Sequence, residues 1–205
     1  MIKFQKFFAL IIFTSVLFGT GSALGKTDTS NGPSAAEIFG NPNYPAMSYG
    51  GYRGISRDDQ PSVAELAEDM KILSAMGVKL LRTYNTSQYL MAERLLEAIH
   101  QLKQEDPEFE MYVMLGAWVE AKGSWGDNVD HTQGNVENNT AEINRAVELA
   151  NQYPDIVKAI AVGNEAMVQW ATSYFVFPKT ILKWVNHLQA LKKKKRLSRD
   201  VWITS

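Results

Sequence analysis

The sequence predicts an α/β fold built on a parallel sheet of the barrel type, and three observations carry that expectation. Short apolar stretches at 45–50, 78–84, 110–119, 156–163 and 201–205 read as strands, and longer stretches at 62–76, 91–105, 140–152 and 178–197 alternate with them. The second set has helical spacing. The connections after the third and fourth strands are the long ones, which suits a fold whose loops are enlarged on one face.

Each element has a local reason. In the first helical stretch Val63, Leu66, Met70 and Leu73 share a face, in the second Leu95, Ala98, Ile99 and Leu102, in the third Ile143, Ala146, Val147 and Ala150, and in the fourth Ile181, Val185, Leu188 and Leu191. Ser62 with Glu65 fits a capping box, Gly77 a C-cap and Pro178 a first helical turn. The fourth strand stretch, Ala159-Ile160-Ala161-Val162-Gly163, is almost purely apolar, as a strand covered on both faces is. It ends in Asn164-Glu165.

That ending is the strongest chemical signal in the chain. A carboxylate where a buried strand stops is costly unless it is paired or used, and in barrels the C-terminal strand ends carry catalytic groups. Asn-Glu after a strand fits a helix start equally well, because Asn caps and Glu suits a first turn. Other strand ends add polar and aromatic groups: Tyr49, Tyr52 and Arg53; Arg82, Tyr84 and Asn85; Trp118 and Glu120. Trp125, Trp170, Tyr174 and Phe175 lie in the long loops. Aromatic rings suit the apolar C–H faces of pyranoses, and for Trp118, Trp125, Trp170 and Tyr174 singly loop packing and ligand contact are equally good accounts.

Composition bounds the rest. The 205 residues contain no cysteine, which removes disulfides, thiol catalysis and thiolate metal sites together. Residues 1–25 have the layout of a secretory signal peptide: Lys3 and Lys6, an apolar core from Phe7 to Phe18, then Gly21, Ser22, Ala23 and Gly25. The expected location is secreted or periplasmic, with no membrane contact after cleavage. Without those residues, which carry two lysines and no acid, the formal charge moves from −1 to −3, so nucleic acid is not an expected partner. Residues 26–43 read as a linker and N-terminal extension, and 44–205 as the folded unit. No Gly-rich phosphate fingerprint follows the first strand, and His131 lies in a loop short of further ligands, so no cofactor and no metal is expected. Lys192 to Arg196 ends a helix, where cations complement the dipole.

The segments MSYGGYRG, GVKLLRTYNT, MYVMLGAW and IVKAIAVGNEAMVQWATSY together resemble the first four strand segments of bacterial family 17 glycoside hydrolases, which are β-1,3-glucanase-like (β/α)8 TIM barrels. The resemblance runs from about Tyr44 to Ser205. It implies a retaining two-carboxylate glycosidase on β-1,3-glucan, with Glu165 as general acid/base and Asn164 on the sugar 2-hydroxyl. It further implies Tyr49, Arg82 and Tyr84 as substrate-binding residues, and Trp118 joins them as an aromatic at a strand end suited to a pyranose face. The family's nucleophile is a second Glu at the end of the seventh strand. About four and a half β/α units are counted here, so the expectation is an N-terminal half-barrel from a truncated reading frame, inactive alone. Glu120 is a poor substitute nucleophile. A non-catalytic or vestigial carbohydrate-binding protein, and a β-1,3-glucanosyl transferase, stand as alternatives.

Overall fold

The computed structural model describes residues 32–205. The signal-peptide reading of 1–25 and the first part of the linker lie outside the described residues.

The elements run α1 (Ala35–Ile38), β1 (Ala46–Ser48), α2 (Val63–Ala75), β2 (Leu80–Arg82), α3 (Met91–Glu105), β3 (Tyr112–Ala117), β4 (Ala121–Lys122), β5 (Asp130–Gly134), α4 (Val136–Gln152), β6 (Val157–Val162), α5 (Pro178–Lys193) and β7 (Trp202–Thr204). Five strands form one parallel sheet in the order β1-β2-β3-β6-β7. The architecture is therefore α/β on a parallel sheet, as the alternation predicts. The sheet is open among the described residues: β1 and β7 are its edges, and no strand joins them.

The caps fall where their residues require. Ser62 and Glu65 form the capping box of α2, Gly77 follows that helix at φ +85°, and Pro178 begins α5. One core fills the space between a sheet face and the four long helices. Leu66, Leu95, Ile143 and Leu188 meet Val113, Leu115, Val157 and Ile160 there. This apolar layer supplies most of the driving force for folding. On the opposite face Ile38 packs with Leu80 and Tyr112, so α1 covers one end of the sheet.

Two elements have no counterpart in the sequence expectation, apart from the four-residue α1. The antiparallel β4–β5 hairpin inserts between β3 and α4. Helix α4 begins at Val136 rather than near residue 140, because the Asn135 side chain accepts from the Asn138 amide and caps the polar first turn.

Candidate functional site

At the C-terminal ends of the strands lies a cleft of about 770 Å³. Tyr84, Trp118, Asn164 and Glu165 all line it, together with Tyr52, Tyr89, Trp125 and Tyr174. Its floor depends on two glycines. Gly163 stands at φ +83° and turns the chain out of β6, and a Cβ there would come within 2.8 Å of the Ala166 methyl. At Gly116 in β3 a Cβ would lie 2.2 Å from the Thr83 carbonyl oxygen, so only glycine lets the β2 end approach this closely.

Glu165 follows in left-handed backbone, φ +49°, and its side chain is exposed to the cleft. A non-glycine residue in that conformation is strained, and such residues collect at functional sites. Trp125, φ +67°, is a second one in the same cleft. Beside Glu165, the Arg82 guanidinium donates to Asn164 Oδ1 at 2.9 Å. That bond fixes the amide so that its nitrogen is free to face a ligand. Burial, and then the charge and hydrogen bonding of Glu165, push the Tyr174 phenol above its ordinary range, so it stays a protonated donor at neutral pH.

Three rings make one wall. Trp118 and Trp125 stack at 6.3 Å and 21°, and Tyr174 meets them at 4.8 Å and 5.1 Å. Backbone bonds from Ala121 to Tyr174 O (3.0 Å) and from Trp125 to Ser173 O (2.9 Å) hold the hairpin against the loop after β6. Across the cleft Tyr52 and Tyr89 meet edge to face at 6.4 Å, with the Arg57 guanidinium 5.9 Å from the Tyr52 ring.

Two sequence-derived candidates sit elsewhere. Tyr49 is turned away from the cleft: its ring packs in the helix-side core and its hydroxyl donates to Asp69 of α2. Strand alternation is the reason. Ser48 pairs with Arg82, and Tyr49, the next residue, falls on the opposite, helix-side face. Arg53 joins the same carboxylate at 2.8 Å. Tyr49 is therefore held in packing contacts and is not among the residues that line the cleft. Glu120, considered as a nucleophile, is buried, and its oxygens accept from Trp118, Trp125, Asn135 and Asn138. No oxygen is left for attack.

The aromatic wall was the part that sequence reasoning missed as an assembly. Trp125 and Tyr174 are far apart in the chain, and the only available signal was the density of rings in two long loops. No group of three or more His, Cys, Asp or Glu side chains among the described residues is placed to hold a metal ion. A larger groove of about 1100 Å³ lies between α4 and α5 at the other end of the strands, away from the rings.

Fold and site together define a parallel α/β sheet that carries an aromatic-walled cleft with a strand-end carboxylate. Among solved structures, the chain is similar to an endo-laminarinase from Formosa Hel1_33_131, with 60% identity and a TM-score of 0.82. The match covers 84% of this chain and 44% of that one, so the chain spans less than half the length of the relative it matches. No protein-family model matches the chain, and no curated protein matches it.

Proposed function

We propose that this chain belongs to the β-1,3-glucan-active glycoside hydrolases of family 17 and contributes the acid/base side of a (β/α)8 barrel active site. The observation that carries the reading is Glu165, exposed in the cleft at the end of β6, with the Arg82–Asn164 pair beside it and the Trp118–Trp125–Tyr174 wall around it. The likeness to an endo-laminarinase supports the substrate class. In this reading Glu165 protonates the leaving glycosidic oxygen and later deprotonates water. Asn164 donates to the sugar 2-hydroxyl, and the rings stack on pyranose faces. Residues 1–25 support export to the periplasm or medium.

Retaining chemistry needs a second carboxylate about 5–5.5 Å from the first. Glu165 is the one carboxylate lining this cleft among the described residues. The resemblance puts the nucleophile on the seventh strand of a full barrel, which is not one of the five strands of the parallel sheet described here. A cleft lined by one carboxylate among the described residues favours a second reading, a carbohydrate-binding protein that releases no sugar. Transfer to a second sugar shares the first half-reaction.

The test is binding followed by turnover. A β-1,3-linked glucohexaose is expected to bind this chain saturably, its β-1,4-linked isomer more weakly, and Trp118→Ala to abolish the signal. Absence of binding overturns the substrate assignment. In any protein that carries this sequence and degrades β-1,3-glucan, Glu165→Gln is expected to lower kcat by a factor of about 10²–10⁴. Near-normal turnover removes Glu165 from the acid/base role. Sugar release by the present chain, lost with Glu165→Gln, decides against the purely binding alternative.

A further inference from the structure

Trp125 poses a physical question. Its side chain is largely solvated, with 65% of the residue exposed, and its backbone is left-handed, yet its ring lies nearly parallel to Trp118. Exposed indoles on a loop ordinarily sample many rotamers, and ring stacking alone contributes too little to fix one. The restraint is beneath the rings. Glu120 is only 5% exposed, and its Oε2 accepts from Trp118 Nε1 at 3.2 Å and from Trp125 Nε1 at 3.1 Å. Its Oε1 accepts from Asn135 Nδ2 at 2.9 Å and Asn138 Nδ2 at 2.8 Å. Asn139 holds the Glu120 backbone from both sides, accepting from its N–H and donating to its carbonyl, each at 2.9 Å.

The arrangement is directional. An indole has a single N–H, lying in the ring plane. Two such donors converging on one oxygen set the in-plane direction of both rings at once. The asparagines occupy the other oxygen and stop the carboxylate from rotating away.

We propose that Glu120 is a positioning residue that holds Trp118 and Trp125 in place before ligand arrives, so that the pair acts as one preformed platform for the apolar faces of a bound glucan. The proposal rests on the glucan-binding reading above. It assigns Glu120 a role in affinity rather than in bond cleavage, because none of its oxygens faces a reacting atom. Preorganisation strengthens binding by removing the entropy of ordering the rings at the moment of contact.

The experiment compares the full chain with Glu120→Gln and Trp125→Phe. The readouts are the far-ultraviolet exciton band of the coupled indoles without ligand, iodide quenching of indole fluorescence, and affinity for β-1,3-linked glucohexaose. In Glu120→Gln the side-chain amide can turn only one acceptor oxygen to the four donors. The expected result is loss of the exciton band, raised quenching, and affinity weaker by about tenfold with helix content unchanged. An intact exciton band with wild-type affinity overturns the proposal. Should Glu120→Gln not fold, Trp125→Phe decides: it keeps an exposed ring but removes one donor, and affinity is expected to fall about threefold. Unchanged affinity there overturns the proposal equally. If the parent chain binds no glucohexaose, the glucan reading fails by itself. The exciton and quenching results still show whether Glu120 sets the two rings.

Discussion

Arg82 at the end of β2 donates to Asn164 at the end of β6 across 2.9 Å, although β3 lies between the two strands in the sheet. The bond spans the cleft floor and ties the residue before Glu165 to a distant strand. Gly116 makes this possible, since β3 presents no side chain at the level where the Thr83 and Tyr84 backbone approaches.

Removing the guanidinium is expected to loosen the site more than the fold. Arg82→Met leaves Asn164 Oδ1 without its donor and frees the amide to rotate. A single hydrogen bond of this kind contributes about 1 kcal/mol, so glucohexaose affinity should fall about fivefold. The melting temperature should move little. Calorimetric titration beside a thermal melt separates the two, and equal affinity shows that the pair does not hold Asn164 for ligand.

Glu165 carries a conformational cost that can be measured. Its left-handed backbone is disfavoured for a residue with a Cβ by about 1–2 kcal/mol, and glycine escapes that cost. Glu165→Gly is therefore expected to stabilise the chain by about 1 kcal/mol in urea unfolding, offset in part by glycine's freedom in the unfolded state. Glu165→Gln should leave stability unchanged, because the backbone strain remains. A site that strains its own carboxylate and gains stability when that group is deleted is one in which geometry matters more than stability. Equal stabilities of the two variants would remove that argument.

The parts that were legible in the sequence are those set by local pattern. Helix α3 has the bounds its spacing predicts, Met91–Glu105, because its apolar face is continuous to the last turn. The chain turn at Gly163-Asn164-Glu165 was legible because an apolar run stops there. Two parts were hidden. The β4–β5 hairpin consists of Ala121–Lys122 and the polar Asp130–Gly134, which show no alternation to read. The direction of Tyr49 was hidden because it depends on strand register, and a one-residue difference moves a side chain to the other face. Glu120 illustrates the general reason: its four donors come from residues 118, 125, 135 and 138, and only the folded loops bring them to one carboxylate.

Lys158 gives a pH dependence with a definite sign. Its side chain is fully buried, its Nζ makes no hydrogen bond, and Asp200 lies 3.8 Å away. Burial holds its pKa below the ordinary 10.5, and burial does the same to Lys103 and Lys192. Between the depressed folded value and 10.5 the unfolded chain binds more protons, so stability rises with pH across that window. Tyr49 and Tyr112 act the other way. Burial first, then nearby carboxylates, raises both phenols above the ordinary 10.0, so stability falls as pH passes above that value. Urea unfolding from pH 7 to 11 should therefore show a rise and then a decline. Lys158→Met should flatten the rise and stabilise the chain at pH 7 by about 1 kcal/mol or more, since Asp200 keeps its bond from the Ala35 amide at 3.0 Å. A variant less stable at pH 7 would show that the lysine is better paired than its geometry indicates.

Glu142 is the second buried carboxylate behind the cleft, and it should be the most sensitive position in the loop cluster. From α4 it accepts from the Thr86 and Ser87 amides, from the Ser87 hydroxyl, and from the Trp118 amide at 2.9 Å. One side chain thus fastens the loop after β2 to the end of β3. Glu142→Ala leaves three backbone donors without their acceptor; Thr86 is buried, Trp118 partly so and Ser87 exposed, so the total loss is expected to be about 2 kcal/mol. Glu142→Gln keeps one good acceptor and should lose roughly half as much. The loss should also be local. Amide hydrogen exchange is expected to rise at Thr86, Ser87 and Trp118 in both variants, while β6 exchanges as before. Uniform acceleration across the sheet would instead mean that Glu142 supports the global core and not the loops that shape the cleft.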